Sequence, residues 1–391
     1  MPFPSANADK SRRQFLATAA AGAAGLWARP AFGQQNKAGG KSRLDAAVSR
    51  GLEWLKKGQA RDGHWDVGGG RYSVAMTALA GMCFLMEGST LREGKYTDQV
   101  KKAVDWLTAP AHQKPNGAIA DSSAPGELDS YMHGHGYATM FLASAYGEAE
   151  GNEEQRKLER AVTRAVDFTA KAQTRKKHPL AGGGAVEVGG WGYVSAADRD
   201  FDEGSVTATQ LQALRAARNA AIPVPKETIA LAVAYLEACT TPQGGIIYSY
   251  TLSGGRAVNG EERPALTAAA VCCGFSAGDY SGTLPKKWIK FCKDRVPVAA
   301  GRVPHDEYTN YYFAQFLYGL GDDRYARMFP TEAKDSALTW SKYRSAMFPY
   351  LLEQQTPDGS WTSGYIGAVF ATAVNLTILQ LEKDQLPIYQ C

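Results

Sequence analysis

Apolar positions recur at helical spacing through the chain in two kinds of segment. The first kind carries an aromatic residue near its end: Gly51-Leu52-Glu53-Trp54-Leu55, Ala103-Val104-Asp105-Trp106-Leu107, Ala165-Val166-Asp167-Phe168, Ala232-Val233-Ala234-Tyr235-Leu236, Trp288-Ile289-Lys290-Phe291 and Met347-Phe348-Pro349-Tyr350-Leu351. These six anchors fall 52, 62, 67, 56 and 59 residues apart. The second kind is built of small apolar residues, at 74 to 86, 137 to 146, 206 to 217, 266 to 275, 311 to 320 and 367 to 381. Between the two kinds lie turns such as Arg61-Asp62-Gly63-His64-Trp65, Pro115-Asn116-Gly117, Gly189-Gly190-Trp191-Gly192, Pro242-Gln243-Gly244-Gly245 and Pro357-Asp358-Gly359-Ser360-Trp361. Glycine accepts the left-handed backbone that ends a helix, and proline cannot continue one. The unit is therefore helix, Gly-rich turn, helix, repeated six times.

Helical hairpins of this kind stack as an open solenoid or close as a ring. The run Ala265-Leu266-Thr267-Ala268-Ala269-Ala270-Val271-Cys272-Cys273 is free of charge, and a helix apolar all round must be buried on every side. An open solenoid leaves its second helices one wet face. The pattern thus predicts an all-α, (α/α)6 toroid of six helical hairpins, with second helices inside and first helices outside.

The start of the chain has a different character. Ser11-Arg12-Arg13-Gln14-Phe15-Leu16 precedes an uncharged run from Ala17 to Trp27, the pattern of a twin-arginine export signal. That run is too short for a stable membrane anchor. With cleavage near Ala31-Phe32-Gly33, residues 1 to 33 are read as signal, 34 to 43 as a flexible linker and 44 to 391 as one domain. The mature protein is expected to be periplasmic or secreted.

The whole chain has a formal charge of +4, but from residue 34 onward 39 basic groups meet 38 acidic ones. A near-neutral surface gives no reason to expect nucleic acid or an anionic membrane as partner. The Lys and Arg groups at 175 to 177 and 286 to 287 read as surface charge. Of the cysteines at 83, 239, 272, 273, 292 and 391, none forms a C-x-x-C pair. The first five lie in apolar helical runs and read as buried free thiols; Cys391 reads as an exposed tail thiol. No cofactor is expected, and the oligomeric state is left open.

Two turns resemble a known repeat. Residues 50 to 65 read Arg50-Gly51-x-x-Trp54-Leu55-x-x-x-Gln59-x-x-x-Gly63-x-Trp65, and residues 350 to 361 read Tyr350-Leu351-x-x-x-Gln355-x-x-x-Gly359-x-Trp361. Both resemble the Gln-Trp repeat of squalene and oxidosqualene cyclases, shared in weaker form with protein prenyltransferase β subunits. The resemblance implies an α/α toroid over residues 44 to 391, in which Gln ties a helix end to the next turn and Trp packs over it. Class II cyclases use an Asp-x-Asp-Asp segment whose raised-pKa acid protonates an alkene; the nearest segment here is Asp200-Phe201-Asp202-Glu203. Zinc prenyltransferases use an Asp-x-Cys pair, and none occurs in this sequence. No metal is therefore expected.

In a closed ring every inner helix starts at the same end, so the residues before those starts converge on one mouth. That rule selects Asp202, Glu203, His305 and Asp306 as candidate acids, bases and polar partners. Tyr72, Tyr131, His133, His135, Tyr308, Tyr311 and Tyr365 are candidates for ligand contact. Arg71, Asp129, Glu261, Glu262, Arg263 and Glu307 fall in the same zone, with Glu261 to Arg263 read as a solvated loop. For Asp202 the competing reading is a helix cap. For His133 and His135 it is structural hydrogen bonding, against metal binding or proton movement.

Three functions fit this arrangement. In the first, the toroid binds an apolar, isoprenoid-like ligand and Asp202 or Glu203 supplies any acid chemistry. In the second, it is a glycan hydrolase or lyase, which requires Trp65, Trp191 and Trp361 to face the cavity as sugar platforms. The third is a non-catalytic binding scaffold.

Overall fold

A computed structural model describes residues 34–147, 152–298 and 306–390. The expected export signal, His305 and Cys391 lie outside the described residues. The chain divides into Met1–Arg43 and Leu44–Cys391, and the second unit carries the architecture described below.

Numbered in chain order, the hairpins are α1 (Gln34–Gly58) with α2 (Ser73–Glu87), α3 (Thr97–Thr108) with α4 (Met132–Gly147) and α5 (Asn152–Ala172) with α6 (Gly204–Asn219). They continue as α7 (Lys226–Ala238) with α8 (Pro264–Ala277), α9 (Thr283–Arg295) with α10 (Asp306–Leu320) and, after a short α11 (Arg324–Met328), α12 (Trp340–Glu353) with α13 (Ala368–Gln380). Helix α1 includes residues 34 to 43, where the sequence reading placed a linker. The second member of each pair packs against the next, and α13 packs back against α2, which closes the ring. This is an all-α, (α/α)6 toroid, as the repeat pattern predicts.

The inner helices are buried almost end to end: Ser73 to Met86 in α2 and Ala265 to Phe275 in α8. The outer helices keep charged faces, as α5 does with Glu153, Glu154, Arg156, Lys157, Glu159 and Arg160. The five described cysteines are free and buried. A two-stranded antiparallel hairpin, β1 (Lys176–Pro179) and β2 (Ala185–Val188), interrupts the third repeat. The sequence pattern does not show it.

The Gly-rich turns do more than reverse the chain. Gln59 Nε2 donates to Gly63 O at 2.9 Å and to Gln99 O, in the first turn of the next outer helix, at 3.1 Å. Gln173 repeats this with Gly189 O and Thr228 O, and Gln355 with Gly359 O and Ala47 O. The last of these joins the sixth repeat to the first. Trp65, Trp191 and Trp361 are buried and donate their indole N–H to Leu55 O, Thr169 O and Leu351 O. Each also donates its backbone N–H to an inner-helix threonine, Thr77, Thr207 or Thr372, at 3.0 Å.

Tyrosines fill the lumen. Tyr311 and Tyr312 of α10 are fully buried with ring centroids 4.9 Å apart. The Tyr311 hydroxyl lies 3.4 Å from that of Tyr389, in the C-terminal 3-10 turn that packs on α6 and α10.

Ring closure makes a testable demand at Gly359. Its φ is +97°, and a Cβ there would stand 2.5 Å from Arg50 O. Gly183 has a similar φ of +90° but open space around it. A left-handed alanine alone costs about 1–2 kcal/mol, so Gly183→Ala is expected to lose about that much in urea unfolding. Gly359→Ala is expected to lose at least about 3 kcal/mol, because backbone must also move.

Candidate functional site

The inner helices run parallel, so their N-terminal ends surround one mouth, and a cavity of about 540 Å³ opens there. All six contribute to its wall: Tyr72 and Met76, His133 and Tyr137, Glu203 and Ser205, Arg263 and Leu266, Glu307 and Tyr308, and Ile366 and Phe370. Tyr193, Tyr248, Tyr365 and Glu127 come from the connecting loops. The size suits a small organic ligand, and an apolar wall with a few polar groups is the usual form of such sites.

Local geometry sorts the expected residues. Asp202 and Glu203 are neighbours in extended backbone, where successive side chains point to opposite sides. Asp202 turns away from the cavity. It is fully buried, accepts from Lys176 Nζ at 3.0 Å, Tyr235 OH at 3.0 Å and Tyr250 N at 2.8 Å, and also bonds Thr251 Oγ1. Burial pushes this carboxyl up, but the Thr251 and Lys176 bonds outweigh it and hold the group below its ordinary value. Asp202 is thus a structural anchor for the loop at 249 to 251 and for β1. Lys176 is correspondingly not free surface charge: it is 18% exposed and tied to Asp202.

Glu203 caps α6 and faces the cavity. Its Oε2 accepts from Val206 N at 2.9 Å and from Ser205 Oγ. Both bonds fall on Oε2, so a proton on this carboxyl sits on Oε1. Burial raises the Glu203 pKa above 4.5 against the lowering effect of those bonds. His133 Nε2 lies 2.9 Å from Ser205 Oγ. Burial lowers its imidazole to about 4, which makes it a neutral partner at pH 7. The result is a short chain from His133 through Ser205 to the Glu203 carboxyl.

The two histidines expected together are separated by the helix that contains them. Residues 132 to 136 belong to α4 rather than to a turn before it, and residues two apart on a helix face different ways. His133 looks into the cavity, whereas His135 is buried behind it. His135 Nδ1 accepts from Ile119 N at 3.1 Å and its Nε2 lies 2.8 Å from Thr169 Oγ1. It fills the place that the threonines hold in other repeats, which assigns it a structural role. Burial takes its pKa down to about 3.

The remaining expectations divide similarly. Tyr72, Tyr308 and Tyr365 line the cavity. Tyr131 does not: its hydroxyl donates to Asp198 Oδ2 at 2.6 Å and accepts from Ser195 N at 2.9 Å. Tyr311 stands about one helical turn below Tyr308 and packs in the lumen against Tyr312 and Tyr389. His305 lies outside the described residues, as does the side chain of Asp306. Arg263 is a wall residue rather than part of a solvated loop. Trp65, Trp191 and Trp361 are all sealed in their turns.

The wall residues Glu127, Tyr193 and Tyr248 were not anticipated, and Glu127 is the ionisable group among them. Glu127 sits in the irregular loop before α4, accepts from Asp121 N at 3.0 Å and Val74 N at 3.4 Å, and is 3% exposed. Burial pushes its carboxyl up to about 7. Nothing in a loop without periodicity marks such a residue in advance. Among the described residues no group of three or more His, Cys, Asp or Glu side chains is arranged to hold a metal ion. No helix there is long and apolar enough to cross a membrane.

No protein-family model and no curated sequence matches the chain. Solved structures do. The type II terpene cyclase MstE from Scytonema, in complex with its substrate geranylgeranyl dihydroxybenzoate, aligns with a TM-score of 0.51 at 16% identity, over 89% of this chain and 99% of the cyclase. Its complex with the product merosterolic acid A gives the same TM-score at 17% identity, over 89% and 99% of the two chains. A GH76 α-mannanase from Bacteroides thetaiotaomicron aligns at 0.53 and 10% identity, over 87% and 96%. At these identities the likeness shows the helical toroid fold alone.

Two stability measurements check these assignments. Asp202→Asn breaks a buried ion pair and is expected to cost about 3–5 kcal/mol, read from urea unfolding at pH 7. Glu127 has a folded pKa of about 7 against an ordinary 4.5, so its contribution is complete below pH 4.5 and is lost as pH rises through about 7. Glu127→Gln removes that loss. Relative to wild type, the variant is expected to gain up to about 3 kcal/mol between pH 5 and pH 8.

Proposed function

We propose that this toroid is exported by the twin-arginine route and takes an apolar, isoprenoid-like molecule into the cavity at the mouth of its ring. Within that reading Glu203 is the acid. The observation that carries it is a buried carboxyl on the cavity wall with one oxygen engaged by Ser205 and Val206 and the other able to hold a proton. Glu203 gives its Oε1 proton to an alkene carbon; the π pair forms the new C–H bond and leaves a carbocation that a second double bond of the ligand attacks. Loss of a proton from the product cation restores neutrality. A carboxylic acid kept protonated by burial is the general device for such a step.

The fold shared with MstE, together with aliphatic and aromatic walls at Met76, Leu266, Ile366 and Phe370, supports an isoprenoid ligand over a more polar one. Of the acidic segment at 200 to 203, only Glu203 lines the cavity, so the acid role falls to the last position of that segment.

A glycan-active toroid is the second reading, favoured by the GH76 likeness and by Glu127 and Glu203 sharing one cavity. Sealed turns remove Trp65, Trp191 and Trp361 as its sugar platforms, and the tyrosines with Phe370 remain for that purpose.

The deciding experiment incubates wild type and Glu203→Gln with geranylgeraniol and with squalene in D₂O buffer, followed by mass spectrometry of organic extracts. Wild type is expected to yield cyclic isomers carrying one deuterium. Glu203→Gln is expected to retain the polyene and to form product at least about 100-fold more slowly. If wild type neither retains nor converts a polyene but binds an oligosaccharide, the second reading replaces the first.

A further inference from the structure

Most polar groups on the cavity wall have partners within the protein. Glu203 bonds Ser205 and Val206, Glu127 bonds two backbone N–H groups, Tyr193 bonds Tyr248, and His133 bonds Ser205. Arg263, the cation of the wall, pairs with Glu261 at 2.9 Å. Glu307 is different. It is 9% exposed and lines the cavity, and among the described residues no hydrogen bond or ion pair reaches its carboxylate. Its oxygens open to the cavity and not to a partner within the protein.

The backbone opposite is shaped around this group. A Cβ on Gly364 would stand 2.2 Å from Glu307 Oε1 and 2.6 Å from Oε2, so only glycine leaves the carboxylate its place. Beyond Gly364 the chain presents Tyr365, whose ring is 79% exposed at the rim. Tyr72, Glu307 and Tyr365 line the same cavity. Tyr72 itself is held at φ 56°, left-handed backbone that a non-glycine residue adopts only when its surroundings hold it there. An unpaired carboxylate with two tyrosine faces at a cavity rim has the composition of an organic-cation site, since tyrosine rings attract ammonium groups and the carboxylate neutralises them. The positive ends of two inner helices are meanwhile covered by Glu203 and Glu127 through their bonds to Val206 and Val74.

We propose that the Gly364 side of the cavity is a head-group subsite in which Glu307, with Tyr72 and Tyr365, holds an ammonium group, so that the ligand is a cationic amphiphile with an apolar body. The inference rests on the proposed isoprenoid cavity for that body, and adds the chemistry of its polar end. Arg263 is the group that would favour the opposite choice, an anionic head.

The test uses four probes, decylammonium, decanol, decanoate and farnesol, each below its micellar concentration, with binding to the purified full chain followed by calorimetry. Decylammonium is expected to bind at least about 10-fold more tightly than decanol and decanoate, and Glu307→Gln is expected to erase that advantage while leaving decanol binding unchanged. Gly364→Ala is expected to act in the same direction by displacing the carboxylate. Equal affinity for the three decyl compounds, preference for decanoate, or an ammonium preference that survives Glu307→Gln overturns the subsite. Failure of farnesol to bind while decylammonium binds through Glu307 rejects the isoprenoid body and keeps the subsite. Failure of every probe overturns both.

Discussion

The docking of each Gly-rich turn on the next outer helix is the interaction on which the architecture depends. A glutamine amide bridges its own turn and the neighbouring repeat at Gln59, Gln173 and Gln355, while a glycine allows the two backbones to meet. No repeat can bury its inner helix alone, because α2 and α8 are apolar on every side. The bond from Gln355 to Ala47 O is therefore as consequential as any core contact. It satisfies at the seam the requirement that the other repeats satisfy in sequence, and with α13 against α2 it closes the ring.

Closure also determines where chemistry is possible. Six parallel helices bring six N-termini to one rim, and the residues that cap or precede those helices become neighbours although they are spread over some three hundred positions. Glu203 and Glu127 each accept from a backbone N–H at such an end, yet both carboxyls are raised, because loss of water outweighs those bonds. The ring thus raises both carboxyls chiefly by burial, with a neighbouring acid, Asp202 or Asp121, adding to the effect. Asp202, one residue from Glu203, shows the other outcome, with Thr251 and Lys176 overcoming the same desolvation.

Much of this was legible in the sequence, and the limits are physical. Six hairpins, their order and the single mouth follow from periodicity and from glycine turns, since both are local properties that survive folding. Asp202 and Glu203 could not be told apart, because which neighbour faces inward depends on Lys176, Tyr235 and Thr251, all distant in sequence. His133 and His135 were paired because their glycine-rich surroundings read as a turn; helix α4 begins earlier and turns them apart. The mouth rule found Tyr72, Tyr308 and Tyr365 but also took in Tyr131, whose hydroxyl serves Asp198 and Ser195 instead. Glu127 escaped it, lying in a loop whose path is set by backbone bonds at both of its carboxylate oxygens.

The tyrosines that fill the lumen have a kinetic meaning. With Tyr311, Tyr312 and Tyr389 packed beneath the cavity, the lumen formed by the described residues is a well and not a tunnel, and a ligand that arrives at the mouth departs through it. Two ligand molecules cannot pass each other in a space of about 540 Å³. Under the proposed cyclisation, turnover in such a vessel is governed by vacating the mouth, so a product that keeps the apolar surface of its precursor competes directly with it for the same doorway.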